Sequence, residues 1–405
     1  MVQAASNDGA GLAGGTATSQ VAGDPWRSVG SAVDMAAMGN AMDDRDRFRG
    51  CLLGGAIGDA LGAPVEFLSR AQIVEAFGAA GVTDFAPAYG ATGRITDDTQ
   101  MTLFTAAGLL NAVIRGQARG ITSVRSSVAC AYLRWRETQG GTLQASARRE
   151  REPRGWLMQF PELWHRRAPG ATCLRALESM RTPGEPARND SKGCGGVMRA
   201  APVGLAAQQI RGEPKGEWAF ARGVEIAALT HGHPTGQLPA GVLAMVIARL
   251  CEGASLRQAI ADAKAVLASW PDHRETLLAI DHAQRLAAQA VPPDDAIPDL
   301  GEGWVAEEAL AIAVYCALVA RDFAHGVLLA VNHGGDSDST GAIAGNLLGT
   351  LHGMRAIPQR WRETVELRDV LVEIADDLEA CGRWPVGPFV PMSEEGERLI
   401  RKYPA

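Results

Sequence analysis

The run Gly334-Gly335-Asp336-Ser337-Asp338-Ser339-Thr340-Gly341-Ala342-Ile343-Ala344-Gly345-Asn346-Leu347-Leu348-Gly349 packs two carboxylates and two hydroxyls into four residues, then passes directly into an apolar segment. The apolar positions of that segment recur at helical spacing and predict a helix over 339–353. Its glycines at 341, 345 and 349 fall on one face, although each costs about 1 kcal/mol relative to alanine inside a helix. A second segment has the same build, with Gly54, Gly58 and Gly62 inside a predicted helix over 51–68. A face without side chains lets a neighbouring backbone come close. The two glycine helices are therefore expected at the crowded centre of a helical bundle, where they bring distant parts of the sequence together. Small residues filling a compact core would give the same pattern.

Working outward, helical periodicity recurs over 97–114, 122–136, 171–180, 217–230, 237–251, 255–269, 273–289, 304–320, 322–332 and 365–381. The breaks carry loop signals, as in Arg181-Thr182-Pro183-Gly184-Glu185-Pro186 and Val291-Pro292-Pro293-Asp294-Asp295. Almost no alternating strand pattern appears. The expected fold class is all-α, with about a dozen helices and no fixed-period repeat. Residues 1–45 are rich in Gly, Ala, Ser and Asp with little periodicity, which predicts a flexible N-terminal extension. A single domain is expected over 46–405, with ordered structure starting at Asp44 or Arg47.

The chain has 405 residues, 46% of them hydrophobic, enough to bury a large core. A formal net charge of −7 argues against a general nucleic-acid or anionic-membrane binder, both of which rely on basic surfaces. The apolar stretch Cys51–Ala63 carries Asp59 and is too short to span a bilayer, which needs about 20 residues. The N-terminus lacks the basic start and continuous apolar segment of a secretory signal, so the expected compartment is the cytoplasm. Seven cysteines are scattered singly without a CxxC pair, which argues against both a disulfide framework and a thiolate zinc site.

A second acidic cluster, Thr96-Asp97-Asp98-Thr99, again precedes an apolar helical stretch. Either cluster alone is explained as well by capping, because acidic side chains at helix starts meet free N–H groups and the macrodipole. Two such clusters in glycine-rich, apolar surroundings point further, since buried carboxylates repel one another and cost several kcal/mol each unless compensated. A shared divalent cation centre would compensate them. Its ligands would be oxygens, from the carboxylates and the hydroxyls of Thr96 and Ser339, a set that suits Mg²⁺ or Mn²⁺ and not zinc. Glu66, after the first glycine helix, could add a carboxylate. Asn189-Asp190-Ser191-Lys192-Gly193-Cys194-Gly195-Gly196-Val197-Met198-Arg199 reads as a ligand-wrapping loop whose N–H groups can meet phosphate oxygens, although it fits no Walker or GxGxxG pattern. No activating arrangement marks Cys194 as a nucleophile. Thr230-His231-Gly232-His233-Pro234-Thr235 reads as a loop that orders a ligand, in preference to a histidine metal pair.

Four segments in this order, Gly50–Phe67, Thr96–Gln100, Gly193–Arg199 and Gly334–Gly341, resemble the ADP-ribosylglycohydrolase family, and Trp304–Leu310 is similar to it as well. The resemblance covers about residues 46–385. It implies a compact, orthogonal multi-helix bundle with a central dinuclear site for two Mg²⁺ or Mn²⁺ ions, and removal of ADP-ribose from modified protein side chains. It implies metal ligands at Thr96, Asp97, Asp98, Asp336, Asp338 and Ser339, with Glu66 and Asp97 as the catalytic carboxylates. It further implies substrate contacts from Ser191, Lys192, Gly193, Cys194, Gly195, Gly196, Met198 and His231. Ser339 stands where threonine is commoner, and Cys194 where asparagine is common. Arginine is the expected acceptor, a monomer the expected state, and an ADP-ribosylated protein the expected partner, with no nucleic acid or membrane. The alternative is an immunity protein that neutralises an ADP-ribosyltransferase toxin by hydrolysis, or by binding it through the N-terminal extension. Hydrolysis of a free ADP-ribose derivative would use the same metals with a different acceptor pocket.

Overall fold

In the computed structural model, which describes residues 42–141, 155–387, 390–391 and 393–404, the first glycine helix runs over Asp44–Gly62. The side chain of Asp43 caps it by accepting the Asp46 N–H at 2.6 Å. Pro64 follows two residues after its end, and the chain leaves the helix in turns that reach Phe67, at φ 71°. The second glycine helix runs over Ser337–His352. The two lie antiparallel and pack against each other along almost their whole length: Gly50 faces Gly349, Gly54 faces Gly345 and Gly58 faces Gly341. A Cβ added to Gly58 would lie 1.9 Å from the Gly341 carbonyl oxygen, and one added to Gly345 would lie 2.0 Å from that of Gly54. The expected close approach of backbones is therefore what this four-residue spacing encodes.

Because the obstructing atoms are backbone, neither helix yields by a rotamer change. Gly58→Val or Gly345→Val should destabilise the protein by about 3 kcal/mol or more, at the upper end of overpacking costs. Denaturant titration checks this, and a midpoint within error of wild type would show that the helices part without cost.

Around this pair Phe323–Val331 packs on the second glycine helix and Arg368–Ala380 on the first. Further out, Lys215–Ala227 packs with Leu238–Cys251, Asp97–Arg119 with Val124–Thr138, and Arg274–Ala288 with Ala306–Val319. Seventeen α-helices occur among the described residues. Arg70–Phe77, Ala201–Ala206, Pro293–Leu300, Gln359–Thr364 and Glu394–Lys402 are absent from the periodicity reading, although the nine-residue helices Ala171–Ser179 and Phe323–Val331 are present in it. The sheet content among the described residues is a hairpin pairing Pro87–Ala88 with Ala91–Thr92. The all-α expectation holds. Of the expected extension at 1–45, residues 1–41 lie outside the described residues. Among the described residues no helix is long and apolar enough to cross a membrane.

Candidate metal centre

The antiparallel pairing brings the C-terminal end of the first glycine helix to the N-terminal end of the second. A Cβ on Gly62 would lie 2.5 Å from Asp338 Cα, so the chain beyond Gly62 turns over the acidic loop. Glu66, Asp336 and Asp338 consequently present three carboxylate oxygens within 4.8 Å of one another. One turn earlier, fully buried Asp59 points at the other acidic cluster. Its carboxylate accepts the Thr96 N–H at 3.0 Å, the Thr99 N–H at 3.1 Å and the Thr99 hydroxyl at 2.5 Å. A single helix thus ties both acidic loops into one place.

Capping does not account for the carboxylates. At the start of Asp97–Arg119 the capping group is the Thr96 hydroxyl, which accepts the Asp98 N–H at 3.2 Å. Asp97 Oδ2 instead accepts the Gly170 N–H at 3.2 Å, and buried Asp98 Oδ1 has no partner. Asp336 occupies the N-cap position of Ser337–His352 without a side-chain capping bond, and its Oδ2 meets the Cys194 thiol at 2.7 Å. Asp338 Oδ1 accepts the Ser339 N–H at 3.0 Å. Gly335, at φ 130°, lets the Asp336 N–H reach the Glu302 carbonyl at 2.8 Å, where any side chain on Gly335 would strike that carbonyl.

Burial and mutual repulsion raise these acids together. Burial, then the Asp338 charge, pushes Asp59 up to about 7. Glu66 is pushed up to about 10 by burial and then by Asp338, Asp336 and Asp97. Asp98 and Asp336 are held well above the usual carboxylate range by burial and then by Asp338. Burial also raises Asp97 well above that range, against the Gly170 N–H. The arginines beside this loop are committed elsewhere, Arg94 and Arg167 to Glu366. Divalent cations fit such a centre, because Glu66 Oε2 and Asp98 Oδ1 are buried acceptors without a donor and a cation would relieve the repulsion.

The glycine loop joins the centre through its sulfur atoms. Cys194–Gly196 forms a 3-10 turn, fixed by the Cys194 N–H donating to the Trp304 carbonyl at 3.2 Å. Ser339 Oγ lies 3.6 Å from Cys194 Sγ and 3.8 Å from Met198 Sδ. His231 Nε2 lies 3.3 Å from where a Cβ on Gly193 would stand, and burial, then Arg199, pushes its pKa down to about 3, so the ring is neutral. Ser191 Oγ pairs with Thr172 Oγ1 at 3.2 Å and accepts the Gly193 N–H at 3.3 Å. The ammonium of Lys192 pairs with Glu275, so its described contact leads away from the carboxylates. A Cβ on Gly195 would lie 2.8 Å from Cys173 Sγ, and one on Gly196 would lie 2.7 Å from the Gly236 carbonyl, so the loop is closely backed.

Three supports had no assigned role in the sequence reading. Asp59 carried a signal, a lone acid in a glycine helix. Arg199, fully buried, donates to Thr230 Oγ1 at 2.6 Å and lies 4.4 Å from the Tyr132 ring centroid, pinning the glycine loop from behind. Glu366 receives Arg94 and Arg167 and accepts the Ile95 N–H at 3.2 Å, while the Arg167 carbonyl accepts the Asp97 N–H at 3.2 Å. At the rim, exposed Phe67 stacks on Trp304 with ring centroids 5.5 Å apart.

Residues 40–385 match the profile of the ADP-ribosylglycohydrolase family. The chain belongs to that family. The ADP-ribosyl-[dinitrogen reductase] glycohydrolase of Rhodospirillum rubrum is 25% identical over 337 residues, covering 80% of this chain and 91% of that protein. The ADP-ribosylarginine hydrolase Tri1 of Pseudomonas putida (strain GB-1) is 25% identical over 346 residues, covering 82% of this chain and 78% of that protein. A solved structure described as an ADP-ribosylglycohydrolase-related protein complex matches with a TM-score of 0.60 at 27% identity, covering 84% of this chain and 99% of the other. Membership of the ADP-ribosylglycohydrolase family supports hydrolysis of ADP-ribosyl linkages in general, with an acidic cluster able to hold a divalent metal.

Proposed function

We propose that this chain is a cytoplasmic ADP-ribosylhydrolase that uses two divalent cations, Mg²⁺ or Mn²⁺, to release ADP-ribose from arginine side chains of modified proteins. The observation that carries the reading is the cluster of Glu66, Asp336 and Asp338, with Asp59, Asp97 and Asp98 close enough to feel the Asp338 charge, in which Glu66 Oε2 and Asp98 Oδ1 are buried without a donor. Thr96, Asp97, Asp98, Asp336, Asp338 and Ser339 would hold the cations. Bound there, the cations would orient the hydroxyls of the distal ribose, stabilise charge that develops on the sugar, and make water more acidic.

The remaining work falls to this chain's own groups. In the closely backed turn Cys194–Gly196 the Cys194 N–H is held by the Trp304 carbonyl, so the Gly195 N–H is the one that would meet the diphosphate. Neutral His231, behind Gly193, can hydrogen-bond a ribose without adding charge. Proton transfer as the C–N bond breaks is assigned to Glu66 ahead of Asp97, because Asp97 Oδ2 already accepts the Gly170 N–H whereas Glu66 Oε2 has no partner. Arginine as acceptor is supported by the name of the Pseudomonas putida relative and by the exposed Phe67–Trp304 stack beside Glu66, since a guanidinium packs on aromatic faces.

Incubation with arginine- and serine-ADP-ribosylated peptides, with Mg²⁺ or excess chelator, tests the reading by mass spectrometry of released ADP-ribose. Cation-dependent release from the arginine peptide is expected, and Glu66→Gln should slow it by about 10²–10⁴-fold while retaining Mn²⁺. Release from the serine peptide alone would overturn the acceptor assignment. Release that persists in chelator would overturn the cation-dependent reaction.

A further inference from the structure

The sulfur atoms beside the carboxylates depart from the all-oxygen ligand set that the acidic motifs imply. Cys194 Sγ lies 2.7 Å from Asp336 Oδ2 and 3.6 Å from Ser339 Oγ, and Met198 Sδ lies 3.8 Å from the same hydroxyl. A cation about 2.3 Å from sulfur and about 2.1 Å from oxygen separates those two donors by roughly 3.1–3.6 Å at octahedral to tetrahedral angles. The 3.6 Å to Ser339 lies at the upper edge of that window, and the 2.7 Å thiol–Asp336 hydrogen bond would open by about 0.4 Å as an ion takes the place of the thiol proton.

The backbone holds the thiol there. The Cys194 N–H is anchored on the Trp304 carbonyl, and Gly193 bridges to Val305. Cys194 is partly exposed, so an ion can reach it, whereas Cys51, Cys173, Cys316 and Cys381 are buried. An independent observation also points to a ligand: Asp98, 3% exposed, keeps Oδ1 without a partner.

We propose that Cys194 is itself a ligand to the cation held by Asp336 and Ser339, giving the centre one soft face, so that this position takes a thiophilic divalent cation such as Zn²⁺ or Cd²⁺ in preference to Mg²⁺. The inference rests on the reading of the acidic cluster as a cation centre. Thiolate and thioether donors favour softer ions, whereas carboxylate and hydroxyl oxygens suit Mg²⁺. As the metal–sulfur bond forms, the thiol proton leaves to solvent. Met198 lines the same side with a polarisable thioether, which excludes water from the sulfur face without adding charge.

The test strips the full-length protein with chelator and titrates it with Cd²⁺ and, separately, with Mg²⁺. The readouts are the ultraviolet sulfur-to-cadmium charge-transfer band and competition between the two ions. A stoichiometric band is expected in wild type and in Cys130→Ser, which removes an exposed thiol elsewhere. The band should vanish in Cys194→Ser and Cys194→Asn, and the preference for Cd²⁺ over Mg²⁺ should fall about tenfold or more. A band or a preference unchanged in both Cys194 variants overturns the proposal. If Asp336→Asn still abolishes Mg²⁺ and Mn²⁺ binding in that case, the cation centre stands and the sulfur ligand alone is refuted. If wild type binds none of these ions, both fall.

Discussion

Asp338→Asn is expected to slow ADP-ribose release by about 10³-fold and, at the same time, to raise the stability of the metal-free protein by about 1–2 kcal/mol. The rate loss follows from the several kcal/mol of transition-state charge stabilisation that a bound cation supplies, with each ~1.4 kcal/mol worth a factor of ten. The stability gain follows from the surrounding charges. After burial, Asp338 is the first neighbour raising Asp59, Glu66, Asp98 and Asp336, so neutralising it relieves four buried acids. Asparagine keeps the oxygen that accepts the Ser339 N–H. Turnover with Mn²⁺, together with thermal melts of chelated protein at about pH 8, reads both effects. A variant that is inactive and also destabilised without metal would identify Asp338 as a structural acid.

Burial, and then the same repulsion, make the metal-free wild type sensitive to pH through Asp59. Asp59 has an ordinary value near 3.8 and is pushed up to about 7 in the fold. Between those values the folded chain holds a proton that the unfolded chain has lost. Stability therefore falls as pH rises through this window, with the contribution gone above about 7. Divalent cations should reverse the trend, because they stabilise the ionised carboxylates.

Glu366→Ala is expected to cost about 3 kcal/mol and to weaken cation binding as well. Its carboxylate is buried between Arg167, also buried, and half-buried Arg94, and removal leaves Arg167 as an uncompensated interior charge. Arg167 Nη1 also donates to the Ile95 carbonyl at 2.9 Å, and its own carbonyl receives the Asp97 N–H. Loss of the carboxylate thus loosens Ile95 through Asp97, the stretch that carries two of the expected ligands. The arginines hold Glu366 below its usual range, against burial, so its contribution is present above the ordinary value of 4.5 and is lost as pH falls through the depressed folded value. Denaturant midpoints and Mn²⁺ titration of Glu366→Ala check both effects. Wild-type cation affinity in a destabilised variant would confine the triad to holding the fold.

What the sequence disclosed depended on how local the signal was. Glycines four apart and acids at helix starts are local patterns, so the central helix pair and both acidic loops could be read directly. Asp59 lay in plain view within Gly50–Gly62. Its role depends on Thr96 and Thr99, some forty residues away, and no spacing rule connects them. The Arg94–Glu366–Arg167 triad and the meeting of Cys194 with Asp336 join residues more than 140 positions apart, visible only once the helices are packed. The periodicity reading also missed helices such as Ala201–Ala206, where a proline sits in the first turn of a six-residue element. Substrate contact from Lys192 is implied by the family resemblance alone, and its contact with Glu275 leaves that expectation open. Its pairing with Glu275 is a surface electrostatic choice that composition could not foretell.

If the buried acids exist to hold divalent cations, the metal-free protein must take them up in defined number. Direct counting of Mn²⁺ bound to the stripped full-length protein, by equilibrium dialysis of wild type beside folded Asp338→Asn, tests it most directly. About two ions per chain are expected in wild type, with a loss of at least one in the variant. Equal binding in both proteins, or none in wild type, would contradict it.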